Sequence, residues 1–248
     1  MPKQNVYLFV MPWRHFLRWS SCVMEEIIAQ NRRPWHQIVV LEDGDAVPDK
    51  IDEAIKTHDP AVTWMTGHGA PDVYTCECTT KYLWVGSPRV DLFKGRIVHL
   101  NSCLTARRLG PHLIEKGALA YYGSREPFYF YIGDPCCWPD SRAARAVFLC
   151  ENQTVASLMA GKTTLEAHQD RLRRYEEEIE YWTVGPGKDH PHASLIARVL
   201  EVDMSIAVFL GEETARPSPP LPRPIPIAPL LSAIFGGATI IGSQYVKP

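Results

Sequence analysis

Two stretches of the sequence predict how the chain folds. The first stretch is Ala61-Val62-Thr63-Trp64-Met65-Thr66-Gly67-His68-Gly69, and the second is Arg96-Ile97-Val98-His99-Leu100-Asn101-Ser102-Cys103. Each is an apolar run, typical of a buried strand, that ends in a short polar turn. Because neighbouring parallel strands place their carboxyl ends along one edge of an α/β sheet, we expect His68 and Cys103 to lie close together.

Segments with strand character alternate with segments of helical periodicity along most of the chain. Strands are predicted at residues 5–10, 37–41, 61–66, 96–100, 118–122 and 204–210. Helices are predicted at residues 14–31, 47–58, 104–116, 141–160 (one helix or two), 163–183 and 193–200. This alternation favours βαβ units and a mostly parallel central sheet. Residues 73–85 predict a β-hairpin or an irregular excursion at the carboxyl edge of the sheet.

Two of the predicted helices contain features with structural consequences. Pro111 lies within residues 104–116, which predicts either a kink or two short pieces. In the long helix, Arg173 and Arg174 stand four residues before Glu177 and Glu178, a spacing typical of a solvated helix face.

The composition narrows the function classes. The chain has 248 residues, of which 46% are hydrophobic and 22% are charged, with a formal net charge of −2. It has no basic stripe with interleaved aromatic residues, so we expect no nucleic-acid partner. The seven cysteines are an odd number, and the first residues show no signal-peptide pattern, so we expect reduced thiols and a cytoplasmic location.

The chain divides into three parts. Residues 1–212 predict one folded domain, residues 213–229 a proline-rich linker, and residues 230–248 an apolar tail. Residues 225–246 contain no charged side chain, and about 20 apolar residues span a bilayer as a helix. The sequence leaves two alternatives open for this tail: insertion into a membrane or a partner protein, or folding back onto the domain.

His68 and Cys103 have the chemistry of a base and a nucleophile. A thiolate that attacks a carbonyl needs a base to form it and N–H donors for the oxyanion. We expect His68 to be the base and Cys103 the nucleophile, with the backbone N–H groups of Gly69 and Cys103 as oxyanion donors. A helix that starts just after Cys103 would favour its thiolate.

The segments around His68 and Cys103 resemble the His-Gly and strand-Cys signatures of clan CD cysteine peptidases. This clan includes the caspase, legumain, clostripain and gingipain families and the CHAT-type domains. The gingipain-like branch is the most similar, because residues 118–124 match its strand that ends in Gly-Ser. The resemblance covers roughly residues 5–210, and its specific part is about residues 60–126, although the Gln-Ala-Cys-x-Gly signature of caspases is absent.

This resemblance implies a caspase-like three-layer α/β sandwich and a thiol endopeptidase that acts on peptide or protein substrates without a cofactor. It implies His68 as base, Cys103 as nucleophile and the Gly69 N–H as oxyanion donor. Two alternatives stay open. One is a catalytically inactive caspase-like scaffold subunit of a membrane-associated assembly, and the other is another α/β thiol enzyme such as an acyltransferase.

Several further residues are candidates for supporting roles. Asp43 and Asp45 follow the second predicted strand, and either could orient His68. Ser124, Arg125 and Glu126 end the strand after Cys103 and could line a substrate pocket, in which Glu126 would select basic side chains and Arg125 acidic ones. The pairs Cys76/Cys78 and Cys136/Cys137 lack the spacing of a structural zinc site, so we expect no metal.

Overall fold

A six-stranded sheet forms the centre of the computed structural model, which describes residues 3–13, 17–76, 79–132 and 141–217. The strands of this part are β1 (Lys3–Met11), β2 (Gln37–Glu42), β3 (Pro60–Thr66), β4 (His68–Ala70), β5 (Val73–Thr75), β6 (Lys81–Trp84), β7 (Ile97–Asn101), β8 (Ala120–Ser124) and β9 (Ala207–Gly211). The helices are α1 (Leu17–Asn31), α2 (Pro48–His58), α3 (Leu109–Glu115), α4 (Arg142–Met159), α5 (Thr164–Thr183) and α6 (Ala193–Ile206). Asp43–Asp45 and Pro88–Phe93 form 3₁₀ turns.

The strand order in the main sheet is β2-β1-β3-β7-β8-β9. All neighbouring pairs are parallel except β8 and β9, which are antiparallel. The prediction of an α/β fold with a mostly parallel sheet is therefore confirmed. So is the prediction that the strands before His68 and Cys103 are neighbours, because β3 pairs with β7.

Helices cover both faces of this sheet. Alternate residues of each strand point to opposite faces, so the strands contribute to two separate cores. On one face, Tyr7, Phe9 and Trp64 pack in a core with α1, α4, α5 and α6. On the other face, Leu8 and Val10 pack with α2, α3 and the side chains of β5 and β6. Strand β3 is buried along its whole length, as expected for a central strand between two helical layers.

The segment between β3 and β7 forms a second, antiparallel sheet with the order β4-β5-β6. The predicted hairpin is confirmed as β5 and β6. Strand β4 begins at His68 and adds to it, with Gly69 opposite Tyr74. His68 is therefore held by a small sheet that packs on the second face of the main one.

The prediction that a helix starts directly after Cys103 is wrong. Helix α3 begins at Leu109, and residues 104–108 form turns. Leu104 has φ 64°, a left-handed conformation that an α-helix does not contain. Pro111 then falls in the first turn of α3, where its missing N–H leaves no intrahelical bond unmade. No helix N-terminus lies at Cys103.

Helix α6 is longer than predicted and displaces the start of the last strand. The sequence predicts a strand from Met204, but α6 continues to Ile206 and β9 begins at Ala207. Leu200, Asp203 and Ile206 are buried at helical spacing, so the helical periodicity persists through a segment that also alternates like a strand.

The described chain stays hydrogen-bonded to the domain up to Pro217. The carbonyl oxygens of Glu213, Ala215 and Pro217 accept bonds from Leu165, Thr164 and Asn5, respectively. The rest of the predicted linker and the whole apolar tail lie outside the described residues. Within the described ranges, no helix is long and apolar enough to cross a membrane.

Candidate active site

His68 and Cys103 occupy equivalent positions beyond the carboxyl ends of β3 and β7. Thr66 pairs with Asn101 in the parallel register, and His68 and Cys103 each follow two residues later. The Gly67 N–H donates to the Asn101 carbonyl oxygen at 3.2 Å, which joins the two turns where the strands end. Because adjacent strands are about 4.8 Å apart, the two side chains start from neighbouring points on one edge.

Gly69 packs directly against the turn that contains Cys103. A Cβ atom at this position would lie 2.2 Å from the Cys103 carbonyl oxygen and 2.8 Å from Cγ2 of Thr105. Real Cβ contacts essentially never come this close, so the approach of β4 to the Cys103 turn requires glycine. This contact brings the residue after His68 onto the backbone of Cys103.

Hydrogen bonds on both sides hold the Cys103 turn in place. The Leu104 N–H donates to the Glu126 carbonyl oxygen at 3.2 Å, and the Ala106 N–H donates to that of Ser124 at 3.1 Å. Thr105 is fully buried, and its hydroxyl accepts a bond from Tyr121 at 2.8 Å. The turn is thus fastened to the end of β8.

The Cys103 thiol is free and half-buried. The Phe128 N–H donates to its sulfur atom at 3.3 Å. Such a bond strengthens when the acceptor carries negative charge. The backbone N–H of Cys103 has no hydrogen-bond partner within the described ranges, which leaves it free for an oxyanion.

The His68 side chain is exposed to solvent, and its ring makes no hydrogen bond to any described residue, including Cys103. Asp43 and Asp45 are also exposed, in the 3₁₀ turn after β2. Strand β1 lies between β2 and β3 in the sheet, so these carboxylates emerge two strands away from His68, a lateral separation of about 10 Å. The structure does not bring them to the imidazole.

A cleft of about 130 Å³ opens between the two turns and the start of α1. Its polar lining contains His68 and Cys103, together with Ser20, Thr66, Asn101 and Ser102. Its apolar wall contains Leu17, Phe128, Phe130 and Phe148. A larger cleft of about 630 Å³ lies at the other edge of the sheet, beside Ala61 and Leu119, away from the edge where α/β sheets place their chemistry.

The chain matches no protein-family model, and no curated protein is significantly similar to it in sequence.

The three predicted pocket residues, Ser124 at the end of β8 and the two that follow it, lie beside the Cys103 turn but not in the described wall of the cleft. Ser124 is buried, with its carbonyl bonded to Ala106, and Arg125 is exposed. The Glu126 carboxylate pairs with the Arg107 guanidinium, and both side chains are about half exposed. The Glu126 carboxylate is thus already paired with Arg107 and is outside the described wall.

The sequence patterns did not predict a buried polar cluster that lies below the carboxyl edge of the sheet. Arg171 and Glu151 are fully buried and paired, with Nε and Nη2 of Arg171 at 3.0 and 2.6 Å from Oε1 of Glu151. The Tyr175 hydroxyl donates to the same oxygen at 2.6 Å. Burial would raise the pKa of Glu151, but the Arg171 charge, acting together with His99 and the hydrogen bonds to both residues, lowers that pKa. The pair joins α4 to α5 below the end of β8.

The prediction that the Arg/Glu run of α5 forms a solvated face is only partly correct. Arg174 and Glu178 do pair, at 2.8 Å, but Glu178 is buried, and Arg173 pairs with Asp170 instead of Glu177. Arg171, Tyr175, Glu178 and Trp182 are buried at spacings of four, three and four residues. That periodicity, which runs through two charged residues, was the signal in the sequence for a buried polar face.

Asp203 is a second buried carboxylate near the site. Its Oδ1 accepts the Tyr129 N–H at 3.0 Å, next to the Phe128 N–H that contacts Cys103. Burial raises the pKa of Asp203 to about 8, although the Tyr129 bond opposes the shift. Asp203 therefore helps to hold the segment that covers the cysteine.

No group of three or more His, Cys, Asp or Glu side chains in the described ranges is arranged to hold a metal ion. Cys76 is buried in the second core. Cys78, Cys136 and Cys137 lie outside the described residues.

Proposed function

We propose that this chain is a cysteine endopeptidase with a caspase-like three-layer fold, in which His68 and Cys103 form the catalytic dyad. The observation that carries the proposal is the register of β3 and β7. It places a histidine and a free cysteine two residues beyond paired positions, with a cleft open beside both. The contact of Gly69 with the Cys103 turn supports it, since this is the approach that an oxyanion site between the two turns requires.

The reaction would have two stages. His68 takes the proton of Cys103, and the sulfur attacks the carbonyl carbon of the scissile peptide bond. The N–H groups of Cys103 and Gly69 stabilise the oxyanion. The C–N bond then breaks, the amine leaves with the proton from His68, and the acyl group remains on the sulfur as a thioester. Water attacks the thioester and gives a proton to His68, the C–S bond breaks to release the carboxylic acid, and His68 passes that proton to the Cys103 sulfur.

Labelling by a peptidyl acyloxymethyl ketone, with the modified residue located by mass spectrometry, tests the dyad. We expect the adduct on Cys103 and its loss in Cys103→Ala. Cys22→Ala is the matched control, because Cys22 is also free and half-buried, whereas burial and the nearby Glu25 charge raise its pKa. An adduct that persists in Cys103→Ala would contradict the proposal.

The base has its own test. His68→Ala should slow the labelling of Cys103 by about 10²–10⁴-fold, the range typical of base catalysis. His58→Ala is the control, since His58 ends α2 at the opposite edge of the sheet. Equal rates for wild type and His68→Ala would remove His68 from the mechanism.

One observation favours a second candidate, an inactive caspase-like subunit that binds a partner. The imidazole of His68 has no hydrogen bond to Cys103 and no orienting carboxylate in the described part of the chain. Apo sites often tighten only when substrate binds, so we place this candidate second. This candidate predicts that the Cys103 thiol reacts with a peptidyl ketone no faster than the thiol of free glutathione reacts with the same compound.

A further inference from the structure

We infer that the cleft beside Cys103 binds an uncharged, apolar side chain of leucine or phenylalanine size, on the acyl side of the scissile bond. This inference deepens the proposed function and rests on it. The wall of the cleft carries the inference, since Leu17, Phe128, Phe130 and Phe148 come from three separate segments and meet there.

The aromatic part of the wall is a packed unit. The rings of Phe130 and Phe148 have centroids 5.4 Å apart, and those of Phe128 and Phe148 are 6.1 Å apart. Phe148 lies on α4 and is buried in the core of the first face, so it forms the buried floor of the cleft. Phe128 also positions its own N–H on the Cys103 sulfur. The apolar wall and the nucleophile are thus joined through one residue.

The polar groups in the cleft are largely engaged elsewhere. The Asn101 amide donates to the Ser20 hydroxyl at 2.6 Å, and the Ser102 hydroxyl is bonded to Thr105 at 3.1 Å. Among the described lining residues, only His68 and Cys103 are ionisable. A charged side chain would therefore enter without a counterion, and burying an unpaired charge costs several kcal/mol.

The size of the cleft matches the inference. A cavity of about 150 Å³ lined by apolar side chains binds benzene, and this cleft has a similar volume, about 130 Å³, with four large apolar side chains in its lining. One side chain of leucine or phenylalanine size would occupy it. A tryptophan side chain would exceed it.

His68 also lines the cleft, but the positions of the two faces put its aromatic wall on the acyl side. His68 begins β4, whose sheet packs in the core of the second face. Phe148 and its aromatic neighbours belong to the core of the first face. The leaving amine must lie beside His68, which protonates it. The acyl residue then lies on the other side of Cys103, toward the aromatic wall.

Peptidyl acyloxymethyl ketones that differ only in the acyl-side residue test the inference. With the full chain, we expect the Leu and Phe compounds to label Cys103 about 100-fold faster than the Arg, Lys and Asp compounds. Equal rates, or faster labelling by a charged compound, would overturn the inference while leaving the proposed function intact.

Two variants sharpen the test without touching the buried floor. Leu17→Glu puts a carboxylate at the half-exposed rim, so the Arg compound should gain at least 10-fold relative to the Leu compound. Phe130→Ala enlarges the cleft, so the preference should move from Leu toward Trp. Tyr129→Ala is the matched control, because Tyr129 is the neighbouring aromatic residue, is 50% exposed and is outside the wall; the preference should not change.

A binding measurement separates failure of the inference from failure of the proposed function. N-acetyl-leucinamide should protect Cys103 from iodoacetamide at concentrations where N-acetyl-argininamide does not. If no peptidyl ketone labels Cys103, the proposed function fails, and protection by the leucine compound would still support an apolar pocket. Equal protection by both compounds, or by neither, would overturn the pocket assignment.

Discussion

The turn with Cys103 and the buried pair of Glu151 and Arg171 both lie near the carboxyl end of β8, but their polar groups are satisfied in different ways. In the buried pair, two nitrogen atoms of the guanidinium and the Tyr175 hydroxyl converge on one carboxylate oxygen, fully shielded from water. At the turn, the His68 ring is exposed and the Cys103 N–H is unpaired within the described residues.

The difference separates stability from reactivity. Removing one member of a buried ion pair leaves the other charge buried without compensation, so the cluster should determine how firmly α4 and α5 hold to the sheet. Groups that are left unpaired at the edge contribute little to stability and are available to a substrate. Substitutions in the cluster should therefore change unfolding, and substitutions at the turn should change labelling.

Arg171→Met should have the largest effect on stability. It leaves the Glu151 carboxylate buried without its partner, so the free energy of unfolding should fall by about 3–5 kcal/mol. Urea unfolding followed by circular dichroism measures this change. Arg173→Met is the matched control on the same helix, since its pair with Asp170 is largely exposed on the Arg173 side; it should cost less than about 1 kcal/mol. Similar losses in the two variants would contradict the comparison.

Asp203→Asn should change how stability depends on pH. The folded-state pKa of about 8 lies above the unfolded value, which is about 3.9. Folded protein therefore holds a proton that unfolded chain has released, and stability is lost as the pH rises between about 4 and 8. For this group alone the slope is about 1.4 kcal/mol per pH unit, and Asn removes it. Urea unfolding at several pH values checks this, and identical slopes in wild type and variant would contradict it.

Gly69→Ala should lower the free energy of unfolding and also slow the labelling of Cys103. Its Cβ would clash with the Cys103 carbonyl oxygen, so β4 and the Cys103 turn must separate, at a cost of about 1–3 kcal/mol. Labelling of Cys103 should slow as well, since His68 moves with β4. Gly44→Ala is the control, because a Cβ there meets nothing within 4 Å. Unchanged labelling in Gly69→Ala would show that the contact has no part in the reaction.

Glu126→Gln should have the smallest effect. The pair with Arg107 is about half exposed on both sides, and such pairs contribute about 0–1 kcal/mol. If the aromatic wall selects the substrate, this change should also leave the preference among peptidyl ketones unaltered. A loss of labelling by the Arg compound alone would instead restore Glu126 as a substrate-binding residue.

Much of the edge could be predicted from local patterns. The apolar runs before His68 and Cys103 are strands, they are neighbours, and the hairpin between them forms as expected. The start of α5 could also be predicted, since Thr163 and Glu166 form a capping box. The roles of His68 and Cys103 in a reaction stay predictions.

The environment of the two residues could not be predicted in the same way. Asp43 and Asp45 follow the carboxyl end of a strand, as His68 and Cys103 do. The strand order, however, places β1 between β2 and β3, which separates the two carboxylates from His68. Glu126 follows β8 as expected, but Arg107 is brought beside it only by the turn after Cys103. The aromatic wall joins α1, α4 and the segment after β8, which are far apart in sequence.

The sequence by itself determined the elements whose signals are local: the strand periodicities, the helix caps, and the polar turns that follow β3 and β7. Only the tertiary structure decided which of those turns meet, which charges are buried, and what lines the cleft. The physical reason is that hydrophobic periodicity specifies which side of an element faces the core, but not what it faces there. Arg171 on α5 is buried because Glu151 and Tyr175 meet it, and that meeting depends on how two helices pack together on the same sheet.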